Sequence, residues 1–221
     1  REGYGFHKYD VNAPIARQIM EEHFKNVLTL VKDYTCIANI TLSNEPYFRV
    51  DECDGLYDEK WYQFLEEVYG NIDELNRTYG SSYSAFSDVP LVQNENNPAM
   101  NYDYWTFNSI QFATWHKYLA DLSHKYAPDI PVQSKIMGHM YRSTGLHGLK
   151  SGVNYELFTD FFDINGCDYG GNMSLNDIQN YPLGKEMQYD YMQSIIEKPV
   201  VDSENHYVMD GENLYLDVHA K

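Results

Sequence analysis

Two glutamates in this chain each follow a short apolar, strand-like run and could act together as a catalytic pair. Glu45 comes after the run 36–42, and Glu204 comes directly after the run 199–203. In enzymes built as α/β barrels, catalytic side chains lie where strands end and loops begin. Two carboxyl groups that face each other are the minimum machinery for cleaving a glycosidic bond. The pair therefore predicts a retaining glycoside hydrolase.

The residues next to the two glutamates fit distinct roles. Glu45 is expected to be the general acid, and the amide of Asn44 beside it could bind a sugar hydroxyl. Pro46 is expected to hold Glu45 in an extended conformation. Glu204 is expected to be the nucleophile that forms a glycosyl-enzyme, with His206 positioning it or touching the sugar. Each motif alone also fits an ordinary turn or a solvated strand end, so the prediction depends on their order and spacing.

The composition restricts the classes of partner. With 221 residues and 43% apolar side chains, the chain is long enough for one sizeable domain with a hydrophobic core. Its net charge of −17 argues against nucleic acids and anionic membrane surfaces, because both require basic patches. A neutral carbohydrate would not be repelled. The 21 tyrosines offer flat, amphipathic rings suited to sugars, although a core or surface role is open for any one of them.

Cysteines and histidines predict neither a disulfide framework nor a metal site. The three cysteines lack C-x-x-C spacing, and His139, His147 and His206 show no metal-binding pattern. No apolar run approaches the roughly 18 residues that a membrane helix needs. We therefore expect no metal and no membrane association. Localisation stays open between cytoplasmic and secreted, because no signal peptide is visible and the chain starts at Arg1 rather than at methionine.

Hydrophobic periodicity predicts alternating helices and strands. Asn12 is a candidate cap for a first helix that has Pro14 in its first turn and runs to Val31. Further helices are predicted over 58–69, 72–79, 102–126, 155–162 and 184–196, and strands over 36–42, 131–137, 162–167 and 199–203. Such alternation is typical of a parallel sheet with crossover helices.

The number of these units is too small for a closed eight-stranded barrel. A catalytic acid at Glu45 would follow strand four, and three earlier units of roughly 30 residues would need about 90 residues. Only 44 residues precede Glu45. We therefore expect an α/β fold, a (β/α)8 TIM barrel of which this chain covers about strands 4 to 7. Residues 1–221 are expected to form a single catalytic barrel domain that is incomplete at both ends.

Asn44-Glu45, Glu204 and the segment 61–83 together resemble known enzymes. The two glutamate motifs resemble the large clan of (β/α)8-barrel glycoside hydrolases, whose acid/base belongs to an Asn-Glu pair after strand four and whose nucleophile follows strand seven. The segment 61–83, with its phrase Leu-Asn-x-x-Tyr-Gly, is similar to family 42 β-galactosidases and their relatives. The sequence around Glu204, residues 202–206, departs from the commoner pattern of that family.

The resemblance implies retention of anomeric configuration and no cofactor. It implies that Glu45 protonates the leaving oxygen and later activates water, and that Asn44 binds the 2-hydroxyl of the sugar. Tyr169 falls near the place of a clan tyrosine that touches the nucleophile, although 168–170 also fits a plain turn.

Three further residues are candidates for contact with substrate. His139 follows the strand 131–137 and could line the sugar site or be structural. Tyr47 and Trp61 are candidates for stacking on sugar rings, whereas Trp105 on its predicted helix is expected to belong to the core.

The sequence thus predicts hydrolysis of β-linked glycosides, most specifically β-galactosides, by double displacement. An endo-acting polysaccharide hydrolase of the same clan is an alternative, because an open, Gly-rich loop at 138–152 could leave a cleft. A catalytically silent carbohydrate-binding barrel is another. A purely structural interaction domain is disfavoured by the paired glutamates. The expected partner is a carbohydrate substrate, and a homo-oligomer stays open.

Overall fold

Parallel strands form the framework of the described chain. The computed structural model describes residues 11–53, 55–137, 151–168, 171–173, 181–203 and 207–209, with backbone alone at 137, 171–173, 181–186 and 207–209. The strands are β1 (Ile40–Asn44), β2 (Val132–Met137), β3 (Asn165–Asp168), β4 (Gly171–Met173), β5 (Val200–Asp202) and β6 (Tyr207–Met209). Strands β1, β2, β3 and β5 lie side by side in that order, all parallel, and β4 pairs separately with β6.

Helices connect these parallel strands. They are α1 (Pro14–Val31), α2 (Asp58–Tyr69), α3 (Ile72–Tyr79), α4 (Pro98–Tyr126), α5 (Tyr155–Thr159) and α6 (Tyr181–Ile195). Helix α4 lies between β1 and β2, α5 lies between β2 and β3, and α6 lies between β3 and β5 in the chain. The predicted α/β fold with crossover helices is therefore confirmed.

Several element boundaries differ from the prediction for local reasons. The first strand begins at Ile40 rather than at residue 36, and Cys36 is exposed. Helix α4 begins at Pro98 rather than at 102, because the Asn97 side chain accepts a hydrogen bond from the amide of Met100 at 3.1 Å. The cap of α1 is Ala13 and not Asn12.

Asn12 is instead used in a tertiary contact. Its amide nitrogen donates to the hydroxyl of Tyr57 at 2.5 Å, and its amide oxygen accepts from Arg17 at 2.7 Å. The side chain therefore ties the start of α1 to the residue that precedes α2, which excludes it from capping its own helix.

Helix α4 is the centre of the hydrophobic core. It contacts β1, α1, α3 and α5, so buried side chains lie on more than one of its faces. Phe112 stacks on Phe48 at 5.2 Å between ring centroids and meets Phe158 edge-on at 5.8 Å. On another face Phe107 packs against Trp61 of α2 at 5.3 Å. A helix that is buried almost all round can position elements on both of its sides.

The two short helices α2 and α3 are held by a buried carboxylate. Asp103 of α4 is 5% exposed, and its Oδ2 accepts hydrogen bonds from Tyr69 at 2.5 Å and from Tyr79 at 2.6 Å. Burial and the bond to Asp103 raise the pKa of Tyr79 well above its ordinary value, so this hydroxyl remains a donor. The carboxylate therefore joins the ends of α2 and α3 to α4.

The phrase Leu-Asn-x-x-Tyr-Gly in α3 has a structural explanation in these contacts. Asn76 accepts hydrogen bonds from the amide of Tyr83 and from Ser81, both at 2.8 Å, and donates to the carbonyl of Tyr83 at 2.8 Å. Gly80 ends the helix with a φ of 64°, which glycine adopts at little cost. Gly80 therefore ends α3, and Asn76 fixes the loop that follows.

Replacing Tyr79 with phenylalanine should destabilise this part of the fold. Tyr79→Phe removes one donor from a buried carboxylate, and a hydrogen bond to a charged group contributes about 1.5–3 kcal/mol. Urea denaturation should show a loss of that size in the free energy of unfolding. Tyr102→Phe is the matched control, since Tyr102 is 72% exposed on the same helix as Asp103. Equal losses for the two variants would contradict the structural role of the Asp103 contacts.

Candidate active site

Glu45 stands at the carboxyl end of β1, directly after Asn44. Its side chain is 40% exposed, so it is accessible to a substrate. Its amide donates to the carbonyl of Lys135 on β2 at 2.9 Å. The parallel register, in which Asn44 lies opposite Lys135, brings the ends of β1 and β2 to the same edge of the sheet. This edge is where the sequence predicts the catalytic chemistry.

The backbone of Glu45 does not have the extended conformation that Pro46 was expected to impose. Its φ is 47°, and among the described residues it is the one non-glycine with a positive φ. The expectation was wrong because proline disfavours the right-handed helical region of the preceding residue without excluding the left-handed region. Conformations of this kind cost of order 1–3 kcal/mol and concentrate at functional sites.

A bulge in β1 precedes this turn of the backbone. Thr41 lies opposite Gln133 and Asn44 lies opposite Lys135, so two residues of β1 face one residue of β2 between those pairs. Bulges re-aim side chains and are common beside active sites. Here the bulge directs Ser43 towards helix α4 and leaves Asn44 and Glu45 at the exposed end of the strand.

Ser43 belongs to a buried hydrogen-bonded group. Its hydroxyl bonds to Nε2 of His116 at 2.8 Å and, at short range, to the hydroxyl of Ser134. The Nδ1 of His116 lies 3.1 Å from the carbonyl of Phe112, and the His116 ring is fully buried. With Nδ1–H donating to Phe112, Nε2 is the acceptor for Ser43. The group joins the end of β1 to helix α4 and to β2.

Lys135 lies beside both Glu45 and Asp168, and neither Lys135 nor Asp168 was predicted as a site residue. The ammonium of Lys135 is 3.7 Å from Oε1 of Glu45 and 3.3 Å from Oδ2 of Asp168. The lysine side chain is 6% exposed and that of Asp168 is 10% exposed. One signal could have revealed them: Lys135 interrupts a predicted apolar strand, and Asp168 directly follows another.

Tyr47 lies two residues after Glu45 and is 42% exposed, so its ring is available for contact with a sugar. Partial burial raises the pKa of its hydroxyl. Nearby, Arg49 makes a two-pronged pair with Asp51, at 2.6 and 3.1 Å, and Tyr104 donates to the same carboxylate at short range. The bond to Asp51 raises the pKa of Arg49 further. These contacts fix the loop that carries Tyr47.

The structure contradicts the expectation that Trp61 stacks on a sugar. Its side chain has no exposed surface, stacks on Phe64 at 5.7 Å and donates from Nε1 to the carbonyl of Val89 at 3.1 Å. It belongs to the core between α2 and α4 and is enclosed there. Trp105, by contrast, was expected in the core and is found there, with 3% exposure.

The end of β5 lies at the same edge of the sheet as Asp168. Strand β5 is paired in parallel with β3, so Cys167 lies opposite Asp202, and the amide of Ser203 donates to the carbonyl of Cys167 at 3.0 Å. Tyr189 of α6 donates to Asp202 at 2.8 Å. Glu204 follows Ser203 directly in the chain but lies outside the described residues, as do His139, Tyr169 and His206.

No group of three or more His, Cys, Asp or Glu side chains could hold a metal ion within the part of the chain that the structure describes. In the same part, none of the helices is sufficiently long and apolar to span a membrane.

Comparison with known proteins agrees with the fold. Residues 2–207 match the sequence profile of the glycoside hydrolase 42 family, described as beta-galactosidase. The chain belongs to this family. This membership confirms the resemblance inferred from Asn44, Glu45 and the segment 61–83.

Individual relatives of this family 42 chain are distant in sequence. It is 25% identical over 162 residues to the beta-galactosidase LacZ of Heyndrickxia coagulans, covering 68% of this chain and 23% of that protein. It is similar to the apo exo-carrageenase GH42 from Bacteroides ovatus, with 25% identity, a TM-score of 0.76 and coverage of 95% of this chain and 32% of that one.

A beta-galactosidase from Bacillus circulans sp. alkalophilus shares the fold, with a TM-score of 0.67, 20% identity and coverage of 88% and 28% of the two chains. The family 42 chain thus spans a third or less of the length of these relatives. The predicted partial barrel is confirmed by these likenesses.

Removing the Ser43 hydroxyl should weaken the attachment of β1 to α4. Ser43→Ala deletes the bond to the buried His116 ring, and we expect a loss of about 1–3 kcal/mol in the free energy of unfolding. Ser123→Ala is the control, because buried Ser123 donates only to a carbonyl of its own helix, that of Leu119, at 3.0 Å. Thermal denaturation of the two variants measures the difference, and a larger loss in Ser123→Ala would contradict the proposed attachment.

Proposed function

We propose that the protein carrying this chain hydrolyses β-linked galactosides with retention of configuration, using Glu45 as acid/base and Glu204 as nucleophile. The observation that carries the proposal is the position of Glu45 in a family 42 chain, at the carboxyl end of β1 with an accessible side chain. The parallel pairing of β1, β2, β3 and β5 supports it, because the segment that leads into Glu204 ends at the same edge.

The proposed reaction has two steps. In the first, the carboxylate of Glu204 forms a bond to the anomeric carbon while the bond to the leaving oxygen breaks and that oxygen takes the proton of Glu45. In the second, Glu45 accepts a proton from water, the water oxygen bonds to the anomeric carbon, and the carboxylate of Glu204 is released. Asn44 is proposed to bind the sugar hydroxyl next to the reacting carbon, with Tyr47, His139, Tyr169 and His206 as further contacts.

Replacing either glutamate with glutamine should strongly lower or abolish turnover without unfolding the protein. Loss of the general acid alone is expected to lower kcat/KM for lactose by about 10²–10⁴-fold, and loss of the nucleophile should abolish turnover. Glu67→Gln is the control, because Glu67 is an exposed glutamate on α2. Full activity in both Glu45→Gln and Glu204→Gln would contradict the assignment.

The stereochemistry of the product tests the double displacement. Proton NMR of the earliest product should show the β-anomer, which a retaining enzyme releases first. Release of the α-anomer would indicate a single inverting displacement instead.

A second candidate function is the release of units from the end of carrageenan chains. It is favoured by the similarity to the Bacteroides ovatus exo-carrageenase, which covers 95% of this chain. Lactose, nitrophenyl β-galactoside and carrageenan oligosaccharides should be compared as substrates. Higher kcat/KM on the oligosaccharides would support this second function, and binding of sugar without any turnover would indicate a silent carbohydrate-binding barrel.

A further inference from the structure

Lys135 holds Glu45 at two points. Its carbonyl accepts the hydrogen bond from the Glu45 amide at 2.9 Å, and its ammonium lies 3.7 Å from Oε1 of Glu45. The main chain and the carboxyl group of the proposed acid are therefore both fixed by one residue of the neighbouring strand. This matters because Glu45 has a left-handed backbone with a φ of 47°, which the surroundings must maintain.

The lysine is buried although it is charged. Its side chain is 6% exposed, whereas that of Glu45 is 40% exposed. Burial of an ammonium costs several kcal/mol unless opposite charges lie close to it. Here Glu45 and Asp168, at 3.7 and 3.3 Å, supply negative charge from two different strand ends. Lys135 therefore connects the end of β1 to the end of β3.

Gln133, two residues before the lysine in β2, is held by the neighbouring strands. Gln133 lies on the same face of β2, two residues earlier, and its amide donates to Asn39 at 2.8 Å and to Thr41 at 3.3 Å. A Cβ atom at Gly166 would lie 2.2 Å from Oε1 of Gln133. A residue larger than glycine would therefore clash with Gln133 at this position of β3. Gln133 thereby lies between β1 and β3 on the face of β2 that also carries Lys135.

An exposed ion pair elsewhere in this protein contrasts with the buried charges around Lys135. Lys117 pairs with Asp121 at 2.8 Å one turn along α4, with both side chains more than half exposed. Such pairs contribute little to stability. A whole buried pair such as Lys135 and Asp168 could be replaced by apolar residues at little cost or with a gain in stability, so stability alone does not account for these buried charges.

We propose that Lys135 is a positioning residue for Glu45. Its ammonium keeps the carboxyl group aimed at the leaving oxygen and faces the carboxylate that Glu45 becomes when it gives up its proton. Asp168 holds the lysine in place from β3. The inference rests on the proposed function, because it assigns Lys135 to the acid/base step of that reaction.

A comparison of leaving groups tests this role. Departure of 2,4-dinitrophenolate needs no proton, whereas the leaving sugar of lactose needs the proton of Glu45. We expect Lys135→Met to lower kcat/KM for lactose about 10- to 100-fold, since a misplaced catalytic group can cost about 10²-fold. The same variant should lower kcat/KM for 2,4-dinitrophenyl β-galactoside by less than about 3-fold, because the departure of that leaving group does not use the proton of Glu45.

Two control variants complete the experiment. Lys117→Met removes the exposed lysine and should leave both values of kcat/KM unchanged. If Lys135→Met does not fold by circular dichroism, Lys135→Gln replaces it, because glutamine retains a polar end within the buried site. Lys135→Gln is expected to give the same selective loss on lactose.

Each outcome decides between explanations. Equal loss on both substrates would show that Lys135 is only structural, and no loss on either would show that it does not act on Glu45; either result overturns the inference while the proposed function stands. No turnover of lactose, the dinitrophenyl galactoside or carrageenan oligosaccharides by the unaltered protein would overturn the proposed function, and the inference with it.

Discussion

The hydrogen bond from the amide of Glu45 to the carbonyl of Lys135 is the contact on which the site depends. It exists because β1 and β2 are parallel and because a bulge shifts the register between Thr41 and Asn44. Without the extra residue in β1, the alternation of side chains would reverse at the strand end. Ser43 would then lose its contact with α4, and Asn44 would turn away from the exposed edge.

Support for this bulge comes from helix α4 rather than from the sheet alone. The bond from Ser43 to the buried His116 ring holds the bulged segment, and Phe112 and Phe158 enclose the same ring at 4.5 and 4.7 Å. The other faces of α4 are fixed by Asp103 and its two tyrosine donors. The family-like segment 61–83 thus acts on the site indirectly, by immobilising the helix behind it.

Sequence periodicity predicted the helices and their alternation with β1, β2, β3 and β5 well, and the reasons are local. The limits of α2 and α3 follow from Gly70, Asn71 and Gly80, which stop, cap and close these helices. The prediction that Trp61 stacks on a sugar was wrong because it followed from the aromatic type of the residue, whereas its position in α2 indicates the core. Its spacing of four from Leu65, also fully buried, is that of a core-facing stripe.

The parts of the site that the sequence did not reveal depend on contacts between distant segments. Nothing near Lys135 in the chain shows that Glu45 and Asp168 will lie within 4 Å of its ammonium, because that follows from the strand order β1-β2-β3. The positive φ of Glu45 likewise depends on the bulge and on the partner strand, whereas Pro46 only excludes one alternative. Pairwise contacts across parallel strands are long-range, so a local pattern cannot contain them.

The site therefore combines two features that each oppose stability. A buried ammonium and a left-handed glutamate are both unfavourable in isolation. Placed side by side, each reduces the cost of the other: the carboxyl groups compensate the ammonium, and the lysine carbonyl and ammonium hold the strained residue. Apolar residues in place of both Lys135 and Asp168 would remove the buried charges at little cost in stability but would leave Glu45 without its ion pair. The arrangement is thus better explained by the need to aim one carboxyl group than by the stability of the sheet.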